Sequence, residues 1–503
     1  MATLLCGGAG KGAFIMGKYG KIAQLQKMLS SGEISCTELT KKYLSAIEKE
    51  NGALNAYINV TADAALKTAA EVDKDIAAGK KIAPLEGIPM ALKDNISTKG
   101  METTCCSKIL SGYVPIYDAT VWSVLKNQKA VLLGKTNMDE FAMGSSCETS
   151  CHGGAKNPHN LKRVAGGSSG GAACAVSGNL AAYALGSDTG GSIRQPASFC
   201  GAVGFKPTYG TVSRYGLIAY ASSFDQIGPI ASSVEDAARV YDVISVYDKM
   251  DSTSSGQKEP VLPALENDIR GKKIGIVKEY FDGVRPDVKE ALLKAADVFR
   301  SLGAEAVEFS MPSIHYSLPV YYILACAEAS SNLGRYDGIR YGYQTEHYTS
   351  RNEMICKTRS EGFGAEVKRR ILLGTYVLSS GYYDAYYKKA QDLRGAIVQA
   401  FDGAFSKCDV ILAPTVPMTA FPENYAAKDP VETYQTDICT VPVNIAGLPA
   451  VSVPCGFGSD GMPVGMQILG PKFSESTVLN FANMYESAAR ETSFKDTGMG
   501  VSL

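Results

Sequence analysis

The sequence predicts an α/β layered fold with a largely buried sheet, and two observations carry that expectation. Short apolar runs of strand length alternate with amphipathic helical stretches along the chain. No Pro/Gly/Ser-rich or highly charged linker divides it. For 503 residues, the usual ~150 residues per domain would suggest three units; the missing linker argues against that division.

Residues 22–31 and 37–50 read as amphipathic helices. The second opens on a capping box, in which Ser35 faces Glu38 and the pair satisfies N–H groups that no helical turn precedes. Residues 62–78 form an Ala-rich helix. The run 87–95, Gly-Ile-Pro-Met-Ala-Leu-Lys-Asp-Asn, is a buried strand with Lys93 at its end, and 130–134 is another. From 163 to 229, Gly/Ser clusters (166–171, 186–192 and 201–204) alternate with short apolar pieces, so bare backbone comes close to something there. Beyond, 234–245 is helical, 273–277 a strand, 287–302 a helix and 304–309 a strand. Residues 366–380 and 383–405 look like long helices; 410–413, 450–453 and 465–469 are late strands, and 475–490 is a closing helix. There is no internal repeat.

Composition excludes several classes. With 45% hydrophobic and 20% charged residues the chain is an ordinary globular one. Fifty Lys and Arg against 51 Asp and Glu give a net charge of −1 and no general attraction to nucleic acid, so if RNA matters a partner does most of the holding. No apolar run reaches the ~18 residues of a membrane span, and 318–327 has only the length of a core segment. Residues 1–20 are Gly-rich and lack a secretory core and cleavage site. The 13 cysteines are an odd count set mostly in apolar runs (Cys174, Cys326, Cys439), the pattern of reduced thiols in the cytoplasm. Only four histidines exist, His152, His159, His315 and His347, which leaves little room for a metallohydrolase or a histidine-dependent serine hydrolase.

Three short motifs remain. Gly166-Gly-Ser168-Ser-Gly170 satisfies the G-x-S-x-G nucleophile elbow, with Ser168 attacking and His315 or His347 as base. The residues before it, 157–164, are polar and loop-like where an elbow needs a buried strand, and a Gly/Ser turn without chemistry is the plain alternative. In Gly186-Ser-Asp-Thr189-Gly190-Gly191-Ser192-Ile-Arg194 a serine ends a Gly-Gly pair, so consecutive N–H groups can converge on one small volume, as an oxyanion hole requires. Lys93 is the one basic residue of an apolar strand. Burial there would lower its pKa and make it a base near neutral pH, whereas a solvated strand-end lysine would do nothing.

Together these motifs resemble the amidase signature family: Lys93 in ALKDN, Ser168 in GGSSGG and Ser192 in DTGGSIRQPA stand at the places of its Ser–Ser–Lys triad. The resemblance runs from about residue 22 to the C-terminus. It implies a single large domain (21–503), α/β, with a mixed many-stranded sheet and helices on both faces. It also reverses the elbow reading: Ser192 is the nucleophile, and Ser168, preceded by a cis peptide bond from Gly167, is the relay. The N–H groups of Thr189, Gly190, Gly191 and Ser192 form the oxyanion hole. A free-standing amidase on a small aliphatic or aryl amide would share that triad.

The second half of the chain is more discriminating. The segments starting at Met138 (MDEFAMG), Ala327 (AEASSNL), Arg335 (RYDGIRYG), Glu366 (EVKRRILLG) and Ser379 (SSGYYDAYYKKA) resemble one branch of that family, the A subunits of glutamyl-tRNA(Gln)/aspartyl-tRNA(Asn) amidotransferases. That resemblance implies glutamine hydrolysis in the cytoplasm, no cofactor or metal in this chain, and a heterotrimer with B and C subunits. The B subunit would bind tRNA, ATP and magnesium. A zwitterionic substrate needs a cation and an anion; motif position assigns these to Arg370, with Arg369 competing, and to Asp437 in DICTVPVNIAGLP. Tyr321 or Tyr322 would be an aromatic wall, and Gly144 and Ser146 would lie in the substrate loop. A helix-surface arginine and a helix-capping aspartate are the plain alternatives.

Two decoys and two departures complete the reading. Cys147, Cys151, His152 and His159 lack the spacing of common zinc motifs. Residues 7–12, GGAGKG, lack the spacing and Ser/Thr of a P-loop, and residues 1–20 read as an N-terminal extension, disordered or translated from upstream of the natural start. Ala172 stands where the family often has another serine. Cys147 and Cys151 replace the threonine and aromatic residues usual in the substrate loop.

Overall fold

The computed structural model describes residues 20–255, 259–425 and 430–497. The N-terminal extension, apart from Gly20, and the stretch 7–12 lie outside these. Thirteen strands are present among them: β1 (Tyr57–Val60), β2 (Pro89–Lys93), β3 (Val131–Thr136), β4 (Lys156–Asn157), β5 (Asn160–Val164), β6 (Tyr183–Asp188), β7 (Val203–Lys206), β8 (Gln226–Ala231), β9 (Lys273–Val277), β10 (Glu305–Phe309), β11 (Val410–Pro414), β12 (Ala450–Phe457) and β13 (Pro463–Leu469). Eleven of them make one sheet in the order β1-β3-β2-β6-β8-β7-β12-β13-β11-β9-β10, and β4 and β5 pair apart.

The sheet is mixed. Strands β3, β2 and β6 run parallel, β8 and β7 reverse the pairing through β12, β13 and β11, and β9 and β10 continue parallel to β11. Strands β2, β3, β6, β8, β11 and β13 are buried along their whole length. That double burial is why they read as near-continuous apolar runs. Alternate side chains of β11 enter different layers. Val410 and Leu412 join the core shared with the helices Lys21–Ser30, Cys36–Leu54, Pro286–Ser301 and Glu475–Thr497, while Ile411 and Ala413 join the core under Ser317–Asn332, Ala365–Leu378 and Lys389–Phe405. Helices therefore cover both faces of a single sheet.

Local signals stop and start these elements as the residues dictate. Ser35 Oγ accepts from Glu38 N at 3.1 Å and Glu38 Oε2 accepts from Ser35 N at 2.9 Å, completing the capping box of Cys36–Leu54. Helix Lys21–Ser30 has no cap of its own. Instead the buried Asp236 carboxylate accepts from the N–H groups of Lys21 and Ile22, both at 2.9 Å, where the helix presents partial positive charge.

The structure differs from the sequence reading where periodicity is lost. The stretch 163–229 is not only loop: it contains helices Gly170–Ser177 and Arg194–Cys200 besides β6, β7 and β8. Both helices are buried nearly all round, so no polar face marks them. Helix Ser317–Asn332 shows in the sequence only as an apolar run for the same reason. Residues 157–164 form most of a hairpin that is largely exposed on its second strand, with no apolar alternation to see. The helix read over 383–405 begins as a π-helix, Tyr383–Lys388.

The topology places the chemistry. Strands β2 and β6 lie side by side in parallel, Leu92 opposite Leu185, so that the side chain of Lys93 at the end of one strand reaches Ser187 near the end of the other. The carboxyl ends of parallel strands are where such sheets leave room for a ligand.

Candidate active site

Lys93 is fully buried. Its Nζ lies 2.7 Å from Ser168 Oγ, 2.9 Å from Ser187 Oγ and 3.3 Å from the Ser187 carbonyl. Burial lowers its pKa to about 8, because a desolvated ammonium is costly; Asp139, Asp188 and Asp225, and the Cys147 thiol if ionised, act in the opposite sense. The lysine is thus a buried base with a serine hydroxyl in hydrogen-bonding range.

Ser168 follows a cis peptide bond from Gly167. Close packing fixes that turn. Gly167 N donates to Gln195 Oε1 at 2.9 Å, and a Cβ at Gly167 would overlap the Asp139 carboxylate. Asp139 in turn accepts from Cys147 N and from Thr149 Oγ1, both at 2.9 Å, and donates from its own N–H to the Ser168 carbonyl at 3.2 Å, so it ties the candidate substrate loop to the serine. Ser192 is joined to the 166–171 cluster through its carbonyl, which accepts from Ser169 N at 3.1 Å. Among the described residues no hydrogen bond links the Ser168 and Ser192 side chains. Such bonds often tighten only when substrate is bound.

The nest before Ser192 is rigid. Gly191 has φ +128°, a conformation reserved for glycine, and a Cβ there would also collide with Thr440 Oγ1. Thr440 Oγ1 donates to the Gly190 carbonyl at 2.6 Å, and Thr189 Oγ1 donates to Asp225 at 2.7 Å. The Gly191 N–H donates to Asp188 Oδ1 at 2.8 Å, so of the four amides read as an oxyanion hole this one is engaged internally. Among the described residues, the N–H groups of Thr189, Gly190 and Ser192 have no protein acceptor. Asp188 is paired with the buried Arg194 through Nε at 3.0 Å and Nη2 at 3.1 Å, and Arg194 also donates to Gln467 and Asn444. Burial works to raise the pKa of Asp188, but the Arg194 charge and hydrogen bonds outweigh it and hold it at about 2.

The candidate substrate residues gather beside this nest. Tyr321 packs against Gly190, where an added Cβ would meet its phenol at 2.5 Å. Asp437 is buried and accepts from Tyr322 OH and Ser145 Oγ, both at 2.8 Å; burial raises its pKa to about 6 against those hydrogen bonds. Arg370 is buried on the inner face of its helix. It donates from Nε to Glu366 at 2.7 Å and from Nη1 to Tyr220 OH at 2.7 Å, with the rings of Tyr322, Tyr434 and Tyr220 5.1–5.6 Å from the guanidinium carbon. Its neighbour Arg369 points outward, with 47% of its side chain exposed against 4% for Arg370, which separates the two arginines that the motif left competing. Gly144 abuts Asp139, and Ser146 is buried with Oγ accepting from Glu148 N at 3.3 Å. The residue of that loop that reaches Asp437 is Ser145, which the sequence reading passed over. Ser187, Asn95, Asp139 and Gln195 were passed over too, although all four stand inside the quoted motifs.

The remaining candidates lie apart. Among the described residues no three His, Cys, Asp or Glu side chains cluster as a metal would require. His152, His315 and His347 are exposed, and the His159 ring meets the Cys200 carbonyl at 3.0 Å. Cys147 is buried and packs toward Gly170, whereas Cys151 is exposed. Ala172 sits inside the buried helix Gly170–Ser177. No helix of the described residues is long and apolar enough to cross a membrane.

Fold and site together define the class: the amidase family model matches residues 38–479, and the chain belongs to that family. Its relatives are specific. It is 52% identical over 467 residues to the A subunit of glutamyl-tRNA(Gln) amidotransferase from Lachnospira eligens, covering 92% of this chain and 97% of that one. Against the protein of the same name from Caldanaerobacter subterraneus subsp. tengcongensis the identity is 54%, covering 93% and 96%. The crystal structure of the glutamyl-tRNA(Gln) amidotransferase A subunit from Thermotoga maritima superposes with a TM-score of 0.77 at 42% identity, covering 92% of this chain and 93% of that one. The peptide amidase of Stenotrophomonas maltophilia superposes with a TM-score of 0.78 at 31% identity, covering 93% and 96%.

The buried Asp188–Arg194 pair supports the nest, and removing one partner leaves an unpaired charge in the core. The variant Arg194→Ala is expected to lose roughly 3–5 kcal/mol of stability in chemical denaturation. A loss under ~1 kcal/mol would show that the nest does not depend on the pair.

Proposed function

We propose that this chain is the glutamine-hydrolysing subunit of a tRNA-dependent amidotransferase and releases the ammonia that converts Glu-tRNA(Gln) to Gln-tRNA(Gln). One observation carries the reading. Beside the Lys93–Ser168–Ser192 constellation a buried cation, Arg370, and a buried carboxylate, Asp437, flank the same aromatic wall. Free glutamine presents both an α-carboxylate and an α-ammonium, and a simple aliphatic or aryl amide presents neither. The names of the 52–54% identical relatives support the same choice.

In this mechanism Ser192 Oγ attacks the side-chain amide carbon. Its proton passes to Ser168, whose own proton passes to neutral Lys93. Amides of the 189–192 nest hold the developing oxyanion, chiefly those not taken by Asp188. Protonated Lys93 then returns a proton through Ser168 to the departing ammonia, and water hydrolyses the acyl-enzyme along the same relay in reverse. Arg370 pairs with the α-carboxylate through guanidinium N–H groups not engaged by Glu366 or Tyr220, Asp437 pairs with the α-ammonium, and Tyr321 with Tyr322 walls the site. No cofactor is assigned to this chain. The proposal places ATP, magnesium and most tRNA contacts on the B subunit, with a C subunit completing a cytoplasmic heterotrimer.

Coexpression with neighbouring genes and assay of glutamine-dependent Glu-tRNA(Gln) amidation tests this reading. Amidation lost with Ser192→Ala but restored by added ammonium salt is the expected result; hydrolysis of simple amides in preference to glutamine would replace it with a free-standing amidase. Arg370→Ala should raise the KM for glutamine by at least ~10-fold, whereas Arg369→Ala should stay within about twofold, since a buried charge-assisted pair is worth roughly 1.5–3 kcal/mol. The pH profile follows from two groups. Lys93 must be neutral, so kcat should fall about tenfold per unit below its pKa near 8. Asp437 must be charged, so KM should rise below pH 6. A rate independent of pH between 6 and 8 would contradict the lysine's role.

A further inference from the structure

We infer that Ser187, held in place by Asn95, is the positioning residue that turns the Lys93 lone pair toward Ser168. The inference rests on the Ser–Ser–Lys reading above and deepens it. A neutral primary amine has two N–H donors and one lone pair. Three oxygens surround Lys93 Nζ, and two of them belong to one residue: Ser187 Oγ at 2.9 Å and Ser187 O at 3.3 Å. If those two accept the amine's two N–H bonds, the lone pair is left for the third, Ser168 Oγ at 2.7 Å. The same cage serves the charged state, since an ammonium places its third N–H on Ser168. The proton can then move to the lysine and back without the amine reorienting.

Ser187 is built to stay in place. Its backbone pairs with Ile227 of β8, and the Ser169 hydroxyl clamps it, accepting from Ser187 N at 3.3 Å and donating to Ser187 O at 3.1 Å. Its hydroxyl meets the Asn95 amide nitrogen at 2.9 Å, and Asn95 Oδ1 is buried with no partner among the described residues. Turning the Asn95 amide over gives that oxygen the Ser187 proton, and an amide's heavy-atom positions do not distinguish the two orientations. In either one Ser187 Oγ accepts from Lys93. Asn95 stands two residues after Lys93 and Ser187 five before Ser192, so the two catalytic segments are locked to each other at this point.

The titratable groups around Lys93 separate this role from general electrostatics. Asp139 from the loop after β3, Asp188 at the end of β6, Asp225 before β8 and the Cys147 thiol of the candidate substrate loop face it, and the Asp94–Lys135 pair lies beyond, just after β2 and on β3. None of these is altered by changing Ser187. A hydrogen bond to Ser187 Oγ is stronger from an ammonium than from an amine, so its removal penalises the protonated state more. In Ser187→Ala the acid limb of the kcat profile therefore moves to lower pH even as the plateau falls.

The test measures glutamine hydrolysis against pH for the full chain, assembled with its coexpressed partner subunits, as wild type, Lys93→Ala, Ser187→Ala, Ser187→Thr and Asn95→Ala. Ser187→Ala is expected to lose ~10-fold or more in kcat, keep KM within about twofold and shift its acid limb downward, with Ser187→Thr restoring rate and limb. Asn95→Ala should shift the limb the same way by less, and it is the variant read if Ser187→Ala fails to fold. An acid limb that stays at the wild-type position in the variant read overturns the inference, whatever its rate. If Lys93→Ala keeps the wild-type rate, the triad reading itself fails, a result distinct from an inert Ser187.

Discussion

Everything at this site depends on Lys93 having no access to water. An exposed lysine stays protonated at neutral pH and cannot accept a proton; a fully buried one pays for its charge, and its pKa falls to about 8. The burial is a consequence of the sheet. Lys93 ends a strand flanked on both sides by parallel neighbours, β3 and β6, so the chain itself excludes solvent. Three carboxylates within electrostatic reach, Asp139, Asp188 and Asp225, keep the shift moderate, which leaves a base that can both take and return a proton.

The second requirement of the proposed mechanism is rigidity around the place where it puts the negative charge. The 189–192 nest is held by distant contacts, Thr440 on Gly190 and Asp225 on Thr189, and by the local contact of Asp188 on Gly191, with Arg194 tying Asp188 to the distant Asn444 and Gln467. These partners come from β6, β13, the loop before β8 and the segment 440–444. The same C-terminal segment supplies Asp437, so the proposed substrate contact and the nest are positioned by one piece of structure.

Much of this was legible in the sequence, and the part that was not has physical reasons. The motifs that carry Lys93, Ser168 and Ser192 were readable because short Gly/Ser clusters and a lysine in an apolar strand are local signatures, and the capping box of Ser35 and Glu38 was readable for the same reason. Arg370 could not be told from Arg369 because adjacent helical positions differ by only about 100°, and only the packing of Tyr220, Tyr322 and Tyr434 decides which one turns inward. Ser145 was missed in favour of Gly144 and Ser146 because the loop has no period, with positive φ at Phe141, Ala142 and Cys147. The engagement of the Gly191 amide by Asp188, and the service of Ser187 to Lys93, are tertiary facts that no spacing displays.

The central claim is that burial brings the Lys93 amine to where it can shed its proton near working pH, and its ionisation can be observed directly. In nitrogen-15 NMR of the lysine-labelled chain, Lys21 and Lys206 are also lowered by burial, to about 8 and about 7, so the Lys93 resonance is assigned by its loss in Lys93→Met. That resonance is predicted to titrate near pH 8. Titration at the ordinary lysine value above 10 would mean that the amine is charged throughout the working range, and the relay described here could not operate.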